Sequence, residues 1–435
     1  MKKIIINTIF YFLLSGLVVS CQKDYGNLNG PTEENFLTNP TADNLNNLVT
    51  GTESGMRNNM GLYLDDVGTI GRENYRFSPS EPRYITDLLG ADSSELTNSN
   101  FYIVNTWASR YRVVKNCNLL IEATPNAKLV SPTDKAGYIG FAQTIKAYQL
   151  LLCLNQTDTN GIRLDVANPN ALGLLSFDDN ALDSIQEILD LGKISLTGST
   201  VSFPLSSGFS GLNDAAGLLQ FNRALAARVD VYRKDWANAL VDLGQSFYGL
   251  NNDLYEGIYS VFGTGSGDQV NPAFIPQKQT GEVRVANPSY AQDIIPGDDR
   301  ISKATLRPNA TSQGLNSDRD VWVYTSNTAP MPIIRNEELI LIYAEANIQL
   351  NNFSEAVTAL NKIRSEHNLP DYSGALTQPA LINEMLYERR YSLFFEGHRW
   401  VDVRRYHLLN TLPLDRPGDN VWGEFPLPVS EPANP

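Results

Sequence analysis

Arg223-Ala224-Leu225-Ala226-Ala227-Arg228 leads into Asp235-Trp236-Ala237-Asn238-Ala239-Leu240, and Ile342-Tyr343-Ala344-Glu345-Ala346 leads into Phe353-Ser354-Glu355-Ala356-Val357. In both stretches a small residue (Ala227, Ala344) stands nine positions before an aromatic (Trp236, Phe353), and an alanine (Ala239, Ala356) stands three after it. Small residues let one helix approach the next, and the aromatic fills the gap between them. The pattern is that of a tetratricopeptide-like helix pair. The two aromatics lie 117 residues apart, which is not a multiple of the roughly 34-residue repeat. The helical units are therefore interrupted and do not form a clean tandem array.

Other segments carry helical periodicity. Residues 101–123 place Tyr111, Val114, Leu119 and Ile121 on the apolar side and end before Pro125. Residues 134–154 open after Ser131-Pro132-Thr133, a cap followed by proline at the first helical position. Residues 179–192 set Leu182, Ile185, Ile188 and Leu189 on one stripe and stop at Gly192. Residues 60–100, 156–178 and 247–334 are rich in turn-forming residues and show little such periodicity. The expected fold is all-α dominated: an α-superhelix with tetratricopeptide-like helix pairs, plus a loop-rich half with short strands.

The chain has 435 residues, 42% hydrophobic and 19% charged, with a formal charge of -14. That composition builds a core and excludes disordered, collagenous and disulfide-scaffold classes. The acidic balance disfavours nucleic acid and anionic membrane surfaces, so no nucleic-acid partner is expected. Lys2 and Lys3 precede an uncharged run from Ile4 to Ser20, and Val18-Val19-Ser20-Cys21 has the form of a bacterial lipobox. The expectation is a lipoprotein signal peptide over 1–20 and lipidation of Cys21; a plain signal anchor is the alternative. Loss of the two lysines with the leader would bring the charge to about -16. Gln22 to Gly30 reads as a tether. Cys117 and Cys153 sit in apolar helical patterns and are expected as buried free thiols, with one disulfide as the alternative.

Residues that could carry chemistry are weighed individually. His367, His398 and His407 have no zinc spacing, and no metal site is expected. Gly263-Thr264-Gly265-Ser266-Gly267 lacks the lysine of a phosphate loop. Carboxylates are abundant, but no pair is singled out as the acid and base of a glycosidase. The run Glu388 to Arg405 reads as a structural ion-pair network, with Arg399 three residues from both Glu396 and Asp402. Phe394, Phe395 and Trp400 read as packing and Gly397 as a turn residue. No catalytic residue and no cofactor are expected.

An ordered set of motifs points to a family. It comprises Ile334-Arg335-Asn336-Glu337-Glu338-Leu339, Tyr343-Ala344-Glu345-Ala346, Leu360-Asn361-Lys362-Ile363-Arg364, Glu388-Arg389-Arg390, Phe394-Phe395-Glu396-Gly397-His398-Arg399-Trp400, Asp402, Arg404-Arg405, Phe425-Pro426-Leu427-Pro428 and Asn434-Pro435. Weaker matches are Trp107, Tyr111, Asn118, the helix around Ile145-Lys146-Ala147-Tyr148, Ala226 to Val229 and Asp298-Asp299-Arg300. The chain resembles the SusD/RagB family of Bacteroidetes surface lipoproteins. The resemblance implies one SusD-like domain over 21–435, with an N-terminal part to about 230 and a C-terminal part from about 231. It also implies a lipid anchor on the outer membrane, facing the cell exterior. The implied role is a non-enzymatic one: capture of an oligosaccharide and delivery to a SusC-like TonB-dependent barrel transporter. The alternative is a peptide or protein-fragment binder in the same kind of complex.

Sugar recognition needs flat aromatic faces and planar polar groups on a pre-formed surface. Such residues are sought in the irregular segments, from which the family takes its ligand contacts. The candidates are Arg72, Asn74, Tyr75, Tyr84, Tyr290 and Trp322, with Glu73, Phe77, Arg83 and Tyr324 beside them. Val321-Trp322-Val323-Tyr324 alternates like a strand, so core packing is the competing reading of Trp322. Trp107, Trp236 and Trp400 fall in helical patterns and read as packing. An extracellular hydrolase lacks any nucleophile or metal motif here. A bare helical adaptor would have no use for so many irregular residues.

Overall fold

The computed structural model describes residues 37–431. The leader, Cys21, the tether and Asn434-Pro435 lie outside the described residues. The helices are α1 (Ala42–Met56), α2 (Met60–Ile70), α3 (Phe101–Ala123), α4 (Pro132–Thr157), α5 (Asp178–Leu196), α6 (Ala215–Arg233), α7 (Trp236–Leu243), α8 (Pro288–Asp293), α9 (Asn336–Gln349), α10 (Phe353–Glu366), α11 (Gln378–Ser392) and α12 (Arg399–Arg405). The strands are β1 (Asn74–Phe77), β2 (Ile162–Arg163), β3 (Leu175–Ser176), β4 (Gly257–Ser260), β5 (Val283–Ala286), β6 (Ala304–Ser312), β7 (Leu315–Val321) and β8 (Met331–Arg335). Among the described residues no helix is long and apolar enough to cross a membrane.

The helices stack in chain order: α3 on α4, α4 on α5, α5 on α6, α6 on α7, α7 on α9, and α9 on α10 and α11. This is the expected superhelix. Local chemistry sets its joints. Ser131 caps α4 by accepting the Asp134 N–H, with Pro132 at the first position. Lys234 takes a left-handed conformation and Asp235 accepts the Asn238 N–H, so α6 turns into α7 across two residues. Ala227, Ala239, Ala344 and Ala356 are fully buried, while Trp236 and Phe353 wedge half-buried against the core.

The irregular half carries three small antiparallel sheets, ordered β1-β5-β7-β6, β2-β3 and β4-β8. It is joined to the helices by buried charge. Arg284 of β5 forks onto Asp65 of α2 at 2.5 and 2.7 Å. Helix α2 corrects the expectation of an irregular 60–100 stretch. Its residues are buried on every side, two aspartates included, so it has no polar stripe to give a helical period. Cys117 and Cys153 are both buried and free, as expected.

The Glu388–Arg405 run is a network, but its pairs differ from the spacing argument. Asp402 binds Arg389 at 2.7 Å and Arg405 at 2.9 Å, while Glu396 binds Arg335 at 2.9 Å. Phe395 and Gly397 both have positive φ (58° and 89°), so the chain breaks out of helix between Glu396 and Arg399. The (i, i+3) geometry on which the Arg399 pairs depended is therefore absent on the Glu396 side.

Candidate functional site

A cleft of about 820 Å³ opens between the 251–259 turn, the 299–303 segment, the chain after β7 and the end of α10. Asn251-Asn252-Asp253 begins it. The Asp253 carboxylate accepts the Tyr255 N–H at 2.9 Å, an Asx turn that presents Tyr255 to solvent at 61% exposure. Strand β4 then pairs with β8, and Tyr259 on it donates its hydroxyl to the Tyr255 carbonyl at 2.5 Å. Gly257 is required here, because a Cβ would stand 2.3 Å from the Ile334 carbonyl oxygen. Trp322 follows directly after β7. Its backbone N–H donates to the Lys303 carbonyl at 2.7 Å, and its half-buried ring lies 6.0 Å from that of Phe274. Tyr255, Tyr259 and Trp322 thus supply three partly accessible aromatic side chains to one cleft, and the buried Tyr324 lines it beside them.

The floor is charged and tied down. The Arg335 guanidinium lies 5.6 Å from the Tyr255 ring centre and is gripped by Glu337 and Glu396. Lys303 donates to the carbonyls of Tyr391 and Ser392 at 3.1 and 2.5 Å, and burial pushes its ammonium down to about 8. His367, at the end of α10, lies 2.9 Å from Asp299 through Nδ1 and 2.8 Å from Glu337 through Nε2. Aromatic faces beside amides and carboxylates suit stacking on sugar rings and bonding to their hydroxyls. Among the described residues no group of three or more His, Cys, Asp or Glu is placed to hold a metal ion.

The structure separates the six residues singled out from sequence. Trp322 lines the cleft. Tyr84 does not; it is half-buried edge-on against Phe101 at 5.1 Å. Arg72, Asn74, Tyr75 and Tyr290 are interior. Arg72 staples the C-terminal segment through the carbonyls of Pro413 (3.0 Å) and Asn420 (2.6 Å). Asn74 lies fully buried on β1. Tyr75 accepts from Asn287 at 2.9 Å, and Tyr290 donates to the Arg300 carbonyl at 2.8 Å. A side chain without accessible surface presents no face to a ligand, so these four are removed from the candidate face. Glu73 and Phe77 are buried as well, Arg83 is half-buried against Glu81, and Tyr324, though only 5% exposed, lines the same cleft as Trp322. A second recess of about 670 Å³ holds Trp422, the one aromatic lining it, and that indole N–H is already spent on the Asp87 carbonyl.

Sequence reasoning missed Tyr255, Tyr259, Asp253 and Asp299. The Asn-Asn-Asp turn signal with two tyrosines four residues apart was the available clue to the first three.

Residues 273–424 match the model of the SusD family. The chain is SusD-like. The matched stretch holds Trp322, Lys303, Asp299 and Arg335 of the cleft, whereas Tyr255 and Tyr259 precede it. The SusD-like fold also recurs in solved structures. A SusD superfamily protein from Bacteroides vulgatus superposes with a TM-score of 0.65 at 15% identity, over 84% of this chain and 88% of that one. A SusD-like carbohydrate binding protein from the same organism gives 0.61 at 15%, over 84% and 83%. Surface glycan-binding protein A from Bacteroides uniformis gives 0.62 at 13%, over 84% and 88%. At these identities the likeness is one of fold. Among curated proteins, none matches this chain.

Proposed function

We propose that this SusD-like chain is a cell-surface oligosaccharide-binding protein whose ligand lies in the cleft of Tyr255, Tyr259 and Trp322. Its role is capture without cleavage. Residues 21–435 act as one domain, held to the outer membrane by lipid on Cys21 after loss of residues 1–20. The captured glycan passes to a TonB-dependent SusC-like barrel. The observation that carries the reading is the cleft itself: three partly accessible aromatic side chains around a volume suited to several sugar rings, on a SusD-like fold. The printed names of two fold relatives, a carbohydrate binding protein and a surface glycan-binding protein, support it.

The test is calorimetry of lipid-free residues 22–435 against neutral hexaoses and a peptide mixture. Saturable glycan binding without product release supports the reading. Release of shorter sugars would overturn it, and binding of peptides alone would move the chain to a peptide-capture role.

A further inference from the structure

The charges around this cleft are unevenly available. Its cations are all engaged. Arg300 has no exposed side-chain surface and bonds to Asp298 and Glu388 at 2.7 Å each. Arg335 is 3% exposed and held by Glu337 and Glu396. Lys303 faces two backbone carbonyls. Lys362 reaches the mouth but lies 2.6 Å from Glu366. Two of the carboxylates are paired as well, Glu366 with Lys362 and Asp299 with His367, but their side chains stay more exposed than those of Arg300, Arg335 and Lys362. The Asp299 side chain is 47% exposed and the Glu366 side chain 45%. Asp253 is exposed beside Tyr255, using one oxygen on the turn. His367, itself nearly buried, lies 2.9 Å from one Asp299 carboxylate oxygen, and both residues line the cleft.

Resting on the glycan-binding reading, we propose that the cleft sorts saccharides by charge, with Asp299 the principal specificity-determining residue. It favours amine-bearing sugars, accepts neutral ones and excludes uronic or sulfated ones. An acidic sugar entering here brings its anion beside the exposed Asp253 and Asp299 carboxylates and a Glu366 already paired with Lys362, and finds no unengaged guanidinium to receive it. A protonated amine finds acceptors already in place. Like-charge juxtaposition of this kind discriminates between ligands more than it sets overall affinity. The preference weakens with salt, because the carboxylates are solvent-accessible.

The experiment uses the lipid-free chain and three β-1,4-linked hexamers of equal length: glucosamine, glucose and glucuronate. A panel of neutral malto-, manno- and xylo-hexaoses is measured beside them. At 50 mM salt the glucosamine hexamer should bind at least tenfold tighter than the glucuronate hexamer, with glucose between. In the double variant Asp299→Asn, Glu366→Gln the spread should shrink to within threefold. Both substitutions are isosteric and lie at the surface, and an unchanged thermal midpoint confirms folding. Glucuronate binding as tight as glucose, or a ranking that survives in the double variant, overturns the charge-sorting inference and leaves glycan binding intact. Silence toward every saccharide overturns the glycan-binding reading on which it rests.

Discussion

Arg389 donates through Nε to Asp402 at 2.7 Å, and each of the two residues is only 2% exposed. The pair joins α11 to α12 inside the C-terminal signature. Burial alone would push the Asp402 carboxyl up, but Arg389 and Arg405 outweigh it and hold it at about 2. Removing Arg389 leaves that charge without its nearest partner. Arg389→Ala should cost about 3–5 kcal/mol of stability in urea unfolding. Arg389→Met with Asp402→Leu should recover much of it, since an apolar pair needs no compensation. If the single variant unfolds like the parent, the network is not what holds this junction.

Glu73 titrates the other way. Burial pushes its carboxyl up to about 8, and its oxygen accepts the Phe395 N–H at 3.3 Å. The folded chain keeps a proton that the unfolded chain releases above its ordinary carboxylate range. The stability linked to this group is therefore greatest at acid pH and declines as pH climbs toward 8. Glu73→Gln keeps the acceptor and removes the titration. Its stability relative to the parent should rise by roughly 3 kcal/mol between pH 4.5 and 7, at about 1.4 kcal/mol per pH unit. Melts across that window check the slope, and a flat difference would refute the assignment of a neutral Glu73.

Both thiols should be inert. Burial pushes the Cys117 thiol up to about 12 and raises Cys153 further. A thiol reacts as thiolate, so neither is available at neutral pH. An aromatic disulfide reagent should label neither cysteine in the native chain and both in urea. Rapid native labelling would show that α3 or α4 opens locally.

Much of the helical scaffold was legible because its stripes are local. Residues 101–123 were delimited by periodicity and a following proline, and α3 spans those same residues. Helix α2 was not legible. Asp65 is satisfied by Arg284, which is 219 positions away, so nothing nearby in sequence explains a buried acid there. The same non-locality misled the site reading. Tyr75 and Asn74 sit in a polar, loop-like stretch, but β1 pairs with β5 and draws them inward. Trp322 was picked out because an aromatic in a turn-rich segment is a fair clue; it lines the cleft, and its alternation with Val321 and Val323 reflects its place directly after β7.

That contrast between Tyr75 and Tyr255 gives the sharpest test of where ligand binds. Tyr75 is 1% exposed and stacks on Phe77 with ring centres 5.6 Å apart. Tyr75→Ala should cost about 3–5 kcal/mol of stability through the cavity it leaves. At temperatures where that variant remains folded, glycan affinity should stay within twofold of the parent. Tyr255 is 61% exposed and carries little of the core, so Tyr255→Ala should leave the melting temperature nearly unchanged. Its affinity should fall about five- to thirtyfold, the loss of one stacking face in a cleft with three, or about 1–2 kcal/mol. Trp322→Ala should weaken binding at least as much and also lower stability modestly, because its half-buried ring packs near Phe274. Paired melts and titrations on the three variants separate the cases. Affinity lost in the Tyr75 variant and kept in the other two would move the binding face to the β1 side of the fold.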